Sequence, residues 1–228
     1  MIVYIYSYIA YALFEFVLRK KVFTRASKGK VFQYSQWKIG KEYCLFLSPG
    51  YWFARYYKNQ IVMLCPDAES AVRKAYLKSM NLWNLLLTCL FSISYLVFML
   101  FHLYFVEMFS GFIAFRFISR MFEVLYAFTC DVLSNKNRSN LTKDERIKLA
   151  LFSYIELFFL SAPIYIILDL VCDPISAFSA SLSVGTLTNV GFLVNNGSSI
   201  YANVAFIQVF VTMSLVIFSL AMYLSREQ

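Results

Sequence analysis

The chain has 228 residues, of which 60% are hydrophobic, 19% aromatic and 15% charged, and its formal net charge is +8. Soluble domains carry about 25% charged residues, so this composition excludes an ordinary soluble domain and indicates an integral membrane protein. The five cysteines include no CxxC pair and there is one histidine, so the sequence offers neither a disulfide framework nor a metal site. No nucleophile elbow or P-loop occurs, and we therefore expect no enzyme, no catalytic residue and no cofactor.

The first predicted segment, residues 1–18, contains an apolar run over 2–18 that is interrupted only by Glu15. At about 1.5 Å per residue the run spans roughly 25 Å, slightly less than a hydrocarbon core of ~30 Å. A cleaved signal peptide is the alternative, but no basic stretch precedes the run and no small-residue cleavage site follows it. We therefore predict an uncleaved first transmembrane helix.

Residues 19–80 are basic, with thirteen Lys or Arg against three acids. In their second half, aromatic side chains alternate with cationic ones: Tyr51, Trp52, Phe53, Arg55, Tyr56, Tyr57 and Lys58. Aromatic rings and long cationic chains both settle among lipid headgroups, so we predict a cytoplasmic or interfacial region that binds lipid. Nucleic-acid binding is the alternative for a basic region, but the membrane surface explains the pattern more simply.

A pair of long helices is predicted over 81–133. Residues 81–106 contain no charged side chain, which predicts a transmembrane helix. The run over 108–133 contains four charges, at Arg116, Arg120, Glu123 and Asp131. Arg116 and Arg120 share a helix face, and Arg120 can meet Glu123. Voltage-sensing helices repeat arginine at every third position over several turns, so two arginines favour structural pairing over voltage sensing.

A basic linker over 134–148 precedes two further helices, predicted over 149–171 and 199–224. Glu156 lies well inside the first of them, so we expect it to pair with Arg116 or Arg120. No Lys or Arg occurs between Leu149 and Ser225. The positive-inside bias therefore predicts a multi-pass protein of the cell membrane with an outer N-terminus, five crossings and a cytoplasmic C-terminus.

Three acids, Glu107, Asp169 and Asp173, then lie on the outer side, and we predict Asp169 and Asp173 as the acids of an outer mouth. An acidic mouth concentrates cations near an opening. The alternative is that the outer segments only lack bases because of the insertion rule, and the sequence alone leaves both explanations open.

The connection between the last two helices is too long for a plain turn. Asp173-Pro174 is a helix-start pattern, and it predicts a short helix over 174–187. Three turns cannot cross a bilayer, so a helix entering from outside would end near the membrane centre, where its C-terminal dipole would favour a cation. A polar extracellular turn is the alternative.

The segment after this helix is Thr188-Asn189-Val190-Gly191-Phe192. TNVGFL resembles the TTVGYG filter of pore-loop potassium channels, and NVGF is similar to the single-glycine loop of the Trk/Ktr/HKT potassium transporters. The family's order of helix, re-entrant helix, filter and helix is matched over about residues 145–225. The resemblance implies a filter over 188–193, in which backbone carbonyls of the five residues replace the hydration shell of K⁺. Because one chain supplies one loop, it also implies a homotetramer.

Three departures from the family pattern make weaker potassium selectivity the expectation. Asn189 replaces a threonine, Leu193 replaces the second glycine, and Val194 stands where the family has an acid. On the last helix Gln208, Thr212 and Ser219 share one face, which we predict to line a cavity below the filter. The alternative for these polar side chains is helix–helix packing.

The sequence thus predicts an all-α integral membrane protein with about five transmembrane helices, one re-entrant pore helix and a filter loop. Its predicted function is conduction of monovalent cations, with K⁺ as the permeant ion, by a homotetramer that binds lipid headgroups and no nucleic acid. The alternative from another class is a non-conducting membrane scaffold or receptor subunit, which would bind lipid or protein through residues 19–80.

Overall fold

The computed structural model describes residues 2–28, 45–46, 48–101, 106–133, 140–191 and 199–225. Over these residues the chain is all-helical and without strands, which confirms the all-α prediction. The helices are α1 (Ile2–Ala26), α2 (Pro49–Leu64), α3 (Glu69–Leu100), α4 (Val106–Leu133), α5 (Lys143–Ile167), α6 (Pro174–Gly185) and α7 (Ser199–Ser225).

Three of these helices, α1, α3 and α5, are long and apolar enough to cross a membrane, with mean hydropathies of 1.4, 1.9 and 1.8 in their most apolar windows. The windows differ in burial: 67% of the α5 window lies inside the protein, against 28% for α1 and 22% for α3. The helix α5 is therefore central, whereas α1 and α3 each present an apolar outer face.

Four long helices alternate in direction. α1 and α4 are parallel, because Ser7 Oγ donates to Met108 O at 2.9 Å and, further along both helices, Arg19 Nη2 lies 2.8 Å from Glu123 Oε2. α3 is antiparallel to α4, as the pairs Phe98–Phe109 and Asn84–Arg116 show. It is parallel to α5, as the pairs Lys78–Glu145 and Thr88–Glu156 show. This up-and-down alternation is what the charge-based topology requires.

Helix ends in the second half of the chain follow their sequence signals. Thr142 caps α5 in a capping box, since its Oγ1 accepts from Glu145 N at 3.3 Å and Glu145 Oε2 accepts from Thr142 N at 2.9 Å. The box starts α5 at Lys143, earlier than the predicted 149, and the helix continues through Pro163 to Ile167. Asp173 caps α6, and Pro174 occupies its first turn, as predicted.

The first half of the chain departs further from prediction. α1 continues to Ala26, eight residues beyond the predicted end at 18, because Arg19 turns inward and is buried. α3 begins at Glu69 and not at 81, so much of the predicted basic region belongs to the two long helices. Arg, Lys and Glu are good helix formers, and a helix therefore does not stop where hydrophobicity stops.

The aromatic stretch over 51–58 lies inside the protein and not at its surface, which corrects the interfacial prediction for these rings. It forms α2, which runs parallel to α1: the rings of Phe53 and Phe16 are 5.5 Å apart and, further along both helices, those of Tyr57 and Phe23 are 5.6 Å apart. Tyr56 and Tyr57 are both fully buried. A second core cluster forms around these rings, separate from the main core around α5.

The start of α2 lies beside the middle of α4. Ser48 caps α2 through its own Oγ, which also lies 2.9 Å from Ser119 Oγ, and Gly50 N donates to Ser119 Oγ at 3.1 Å. Just before it, Leu45 O accepts from Tyr8 Oη at 2.7 Å, near the beginning of α1. The chain therefore leaves the far end of α1 and returns to its near half before α2 begins.

Candidate functional site

The short helix α6 folds back along α5 and ends beside the middle of that helix. Ser181 Oγ donates to Phe158 O at 2.8 Å, and Tyr154 Oη donates to Gly185 O at 3.0 Å. Gly185 also lies against the Phe158 ring so closely that a Cβ there would be 1.8 Å from Cε1. With 12 residues, α6 is about 18 Å long, roughly half of a bilayer's thickness.

The C-terminus of α6 is closed by a Schellman motif. Thr188 N donates to Ser183 O at 2.9 Å and Leu187 N donates to Val184 O at 3.1 Å. Leu187 has φ 62°, the left-handed conformation that this motif requires and that glycine usually supplies. The helix therefore ends at Gly185, two residues before the predicted 187, and the segment that follows is turned sharply.

The predicted filter begins directly after this motif and lies on the chain's own surface. Thr188, Asn189 and Gly191 are exposed and Val190 is half-buried. An added Cβ at Gly191 would meet no other described atom within 4 Å, and Gly191 itself lies outside the left-handed region. Phe192, the fifth predicted filter residue, lies outside the described residues, as does Leu193. The part of the chain that the structure describes thus leaves this segment unenclosed.

Two of the three predicted cavity residues lie inside the chain's own core. Gln208 is fully buried: its Nε2 donates to Ser181 O at 3.0 Å and its Oε1 accepts from Tyr165 Oη. Thr212 is also buried and donates to Gln208 O at 2.8 Å within α7. These contacts join α5, α6 and α7. Gln208 and Thr212 therefore serve helix–helix packing and do not line a cavity within the chain, which corrects the prediction for these two residues. The side chain of Ser219 lies outside the described residues.

The described outer surface of α7 is mainly apolar instead, apart from the exposed Asn203. Its exposed large side chains are Phe206, Ile207, Phe210, Met213, Val216 and Ile217. Such a face suits contact with lipid or with another copy of the chain, and it does not provide the polar lining of a cavity.

The two predicted mouth acids lie at the connection between α5 and α6, and both are exposed. Asp173 Oδ1 accepts from Ser176 N at 2.8 Å as the N-cap of α6. Hydrogen bonds from the side chain and backbone of Ser176 hold the pKa of Asp173 below its usual value. Asp169 has φ 53°. Asp173 is therefore ionised and caps the start of α6, which is a structural role independent of any attraction of cations.

A buried network of three arginines and three glutamates lies between α1, α4 and α5. Its members are Glu15, Arg19, Arg116, Arg120, Glu123 and Glu156. Arg120 binds both oxygens of Glu156 along one edge of its guanidinium, Nε to Oε1 at 2.8 Å and Nη2 to Oε2 at 2.7 Å. The predicted pairing of Glu156 with Arg120 is thereby confirmed. The network is formally neutral, which is the condition for burying six charges.

Most of this network could not be read from the sequence. The Arg120–Glu123 pair was expected from its spacing of three, and its shortest contact is 2.6 Å. In contrast, Arg116 Nη1 reaches Glu15 Oε1 at 3.1 Å across 101 positions of sequence. The intramembrane position of Glu15 was the one available signal, and it does not identify the partner.

The start of α2 adjoins the same network. A Cβ at Gly50 would lie 3.1 Å from Glu123 Oε2 and 3.3 Å from Tyr11 Oη, so only glycine lets the backbone come this close. The positive end of the α2 dipole therefore faces the Glu123 carboxylate.

Comparisons with family models, with characterised proteins and with solved structures gave no match to this chain.

Proposed function

We propose that this chain is one subunit of a homotetrameric membrane channel for monovalent cations, with K⁺ as the permeant ion. The observation that carries the proposal is the half-length helix α6, which ends beside the middle of α5 and is followed at once by the exposed segment Thr188–Gly191. A segment at that depth needs either protein or water around it. Four copies around one axis would supply both.

The filter chemistry comes from the backbone of residues 188–192. Carbonyl oxygens arranged around an axis replace the hydration shell of a cation, and the resemblance to pore-loop filters assigns that part to Thr188, Asn189, Val190, Gly191 and Phe192. Asn189 and Leu193 depart from the family pattern, so the proposed channel discriminates less strongly between K⁺ and Na⁺. No catalytic chemistry is involved.

Five crossings follow in this proposal from α1, α3, α4, α5 and α7. The helix α4 is the polar one, but its central charges pair within the bundle, which lowers the cost of placing them in a bilayer. Lys21, Arg25 and Lys28 are exposed at the far end of α1, where they suit lipid headgroups on the cytoplasmic side. The N-terminus is then outside and the C-terminus inside.

The scaffold alternative has less support from the fold than it had from the sequence alone. It would use the aromatic and basic side chains of 19–80 as a binding surface. The rings of α2 are buried against α1, α3 and α4, so they are not available to a partner.

The experiment is ion flux through purified protein in liposomes, with K⁺, Na⁺ and a large organic cation compared. We expect flux of the small cations only, and Gly191→Ala should abolish it. The added methyl meets no atom of the described residues within 4 Å, so a loss of flux would report on the assembled pore and not on subunit folding. Val17→Ala, on the exposed face of α1, is the matched control and should conduct normally. A folded wild-type protein without flux at any voltage would refute the channel.

A further inference from the structure

Glu156 occupies a distinctive place on α5, between the two residues that hold the end of α6. Tyr154 donates to Gly185 O at 3.0 Å, and Phe158 accepts from Ser181 Oγ at 2.8 Å while its ring packs on Gly185. Residues two positions away on a helix point to roughly the opposite side. The turn of α5 that supports α6 on one face therefore carries Glu156 on the other.

The opposite face of this turn is fixed to α4 and α3. Arg120 donates to both oxygens of Glu156, at 2.8 and 2.7 Å, and Thr88 Oγ1 donates to Oε1 at 3.2 Å. Glu156 is 1% exposed and Arg120 is 3% exposed, so water does not compete for these bonds. A two-pronged guanidinium–carboxylate pair fixes distance and orientation together, in a way that a single hydrogen bond does not.

Arg120 is itself held from its other side. Its Nη1 lies 2.6 Å from Glu123 Oε2, and Glu123 is bound in turn by Arg19 of α1 at 2.8 Å. The guanidinium therefore has little freedom to follow α5 if that helix moves. The contacts form one continuous path from α1 through α4 and α5 to the C-terminus of α6.

We propose that Glu156 and Arg120 are positioning residues for ion selectivity: their ion pair fixes the height of α5, and α5 in turn fixes the start of the filter. This inference rests on the proposed channel function. The position of filter carbonyls decides which ion is favoured, so a small shift of the α6 end would alter selectivity. A structural role alone would change the amount of folded protein and not the ratio of permeabilities.

The test is the K⁺/Na⁺ permeability ratio, obtained from reversal potentials in planar bilayers. Glu156→Gln keeps the side-chain shape but removes one arm of the fork, and Arg120→Lys keeps the charge but cannot form the fork. Both should change the ratio by about two- to thirtyfold, the range of couplings carried through packed contacts. The ratio is a property of each open pore and does not depend on yield.

Glu145→Gln is the matched control. Glu145 lies on the same helix and pairs with Lys74 and Lys78 of α3, at 2.8 and 2.5 Å, but it lies in the first turn and does not support α6. Its substitution should leave the ratio unchanged. Tyr154→Phe removes the hydroxyl that holds Gly185 O, so it should change the ratio too. In the double variant with Glu156→Gln, the effect should be smaller than the product of the two single effects, because both act through α6.

The outcomes separate this inference from the proposed function. Absence of flux in folded wild-type protein overturns the channel and this inference with it. Flux in the wild type with an unchanged ratio in both Glu156→Gln and Arg120→Lys overturns the inference alone. Equal changes from Glu145→Gln, or effects of Glu156→Gln and Tyr154→Phe that simply multiply, would also overturn it. If Glu156→Gln fails to assemble, Arg120→Lys gives the decision.

Discussion

Gly185→Ala tests how tightly α6 is seated on α5. In an unobstructed helix this change stabilises by about 1 kcal/mol, because alanine is the better helix former. At Gly185 the new methyl would lie 1.8 Å from Phe158 Cε1 and 2.5 Å from Cδ1, whereas real contacts of this kind are not shorter than 3.0 Å. The ring or the helix end must therefore move by more than about 1 Å.

The cost of that movement should outweigh the gain in helix propensity. Overpacking costs about 1–3 kcal/mol, and the Phe158 ring cannot simply rotate away because the Tyr154 ring lies 4.5 Å from it, centroid to centroid. Displacement also weakens the hydrogen bond from Tyr154 to Gly185 O, worth about 0.5–1.5 kcal/mol. We expect a net loss of about 1–3 kcal/mol, equivalent to a fall of about 3–10 °C in Tm.

Thermal unfolding of the detergent-purified protein, followed by fluorescence, measures this directly. Gly191→Ala is the control, because its methyl meets no atom among the described residues and should leave Tm unchanged. In a Phe158→Ala background, Gly185→Ala should cause no further fall in Tm, since the clashing ring is gone. A Gly185→Ala variant as stable as the wild type would show that α6 does not sit on α5 as described here.

Two further predictions concern charge. Arg116→Leu leaves Glu15 buried without its partner on α4, so it should lower the free energy of unfolding by about 3–5 kcal/mol, visible as a large fall in Tm. Glu15→Gln in the same chain should recover part of that loss. No recovery would mean that the two residues are not coupled. Because the folded pKa of Asp173 is depressed, its capping contribution is present above the unfolded pKa of about 3.9 and is lost as pH falls through the lower, folded value. Asp173→Asn keeps a capping oxygen that does not titrate, so its Tm should fall less steeply from pH 5 to pH 2; identical slopes would contradict this.

Asp173 with Pro174 is a start pattern contained within two residues, and it predicted the beginning of α6 correctly. Thr142 with Glu145 is an equally local start pattern, but the predicted start of α5 at 149 followed the apolar run and missed it. The predicted end of α6 was two residues too late because the helix stops where Leu187 adopts a left-handed conformation. A leucine in the sequence gives no signal for that conformation. The filter stays a prediction.

Contacts between distant parts of the chain explain what the sequence did not reveal. A stretch of rings and bases has the same composition whether it lies among headgroups or inside a bundle. The deciding contact for α2 is Ser119, about seventy positions away from Ser48. Polar residues spaced along α7 are equally ambiguous, and Gln208 turns inward because Ser181 and Tyr165 offer it partners.

The buried network also has consequences for how the protein is made. In the proposed membrane protein, Glu15 would enter the bilayer with α1, whereas Arg116 is synthesised 101 residues later, roughly 5–20 s at ordinary rates of translation. During that interval the nearest counter-charge is Arg19, one turn away, and the two side chains lie 2.9 Å apart in the finished protein. In the proposed membrane protein, α1 would thus carry its own neutralising charge into the bilayer. When α4 follows, Arg116 adds a second partner to Glu15 while the Arg19 contact is kept, which would fix α1 against α4.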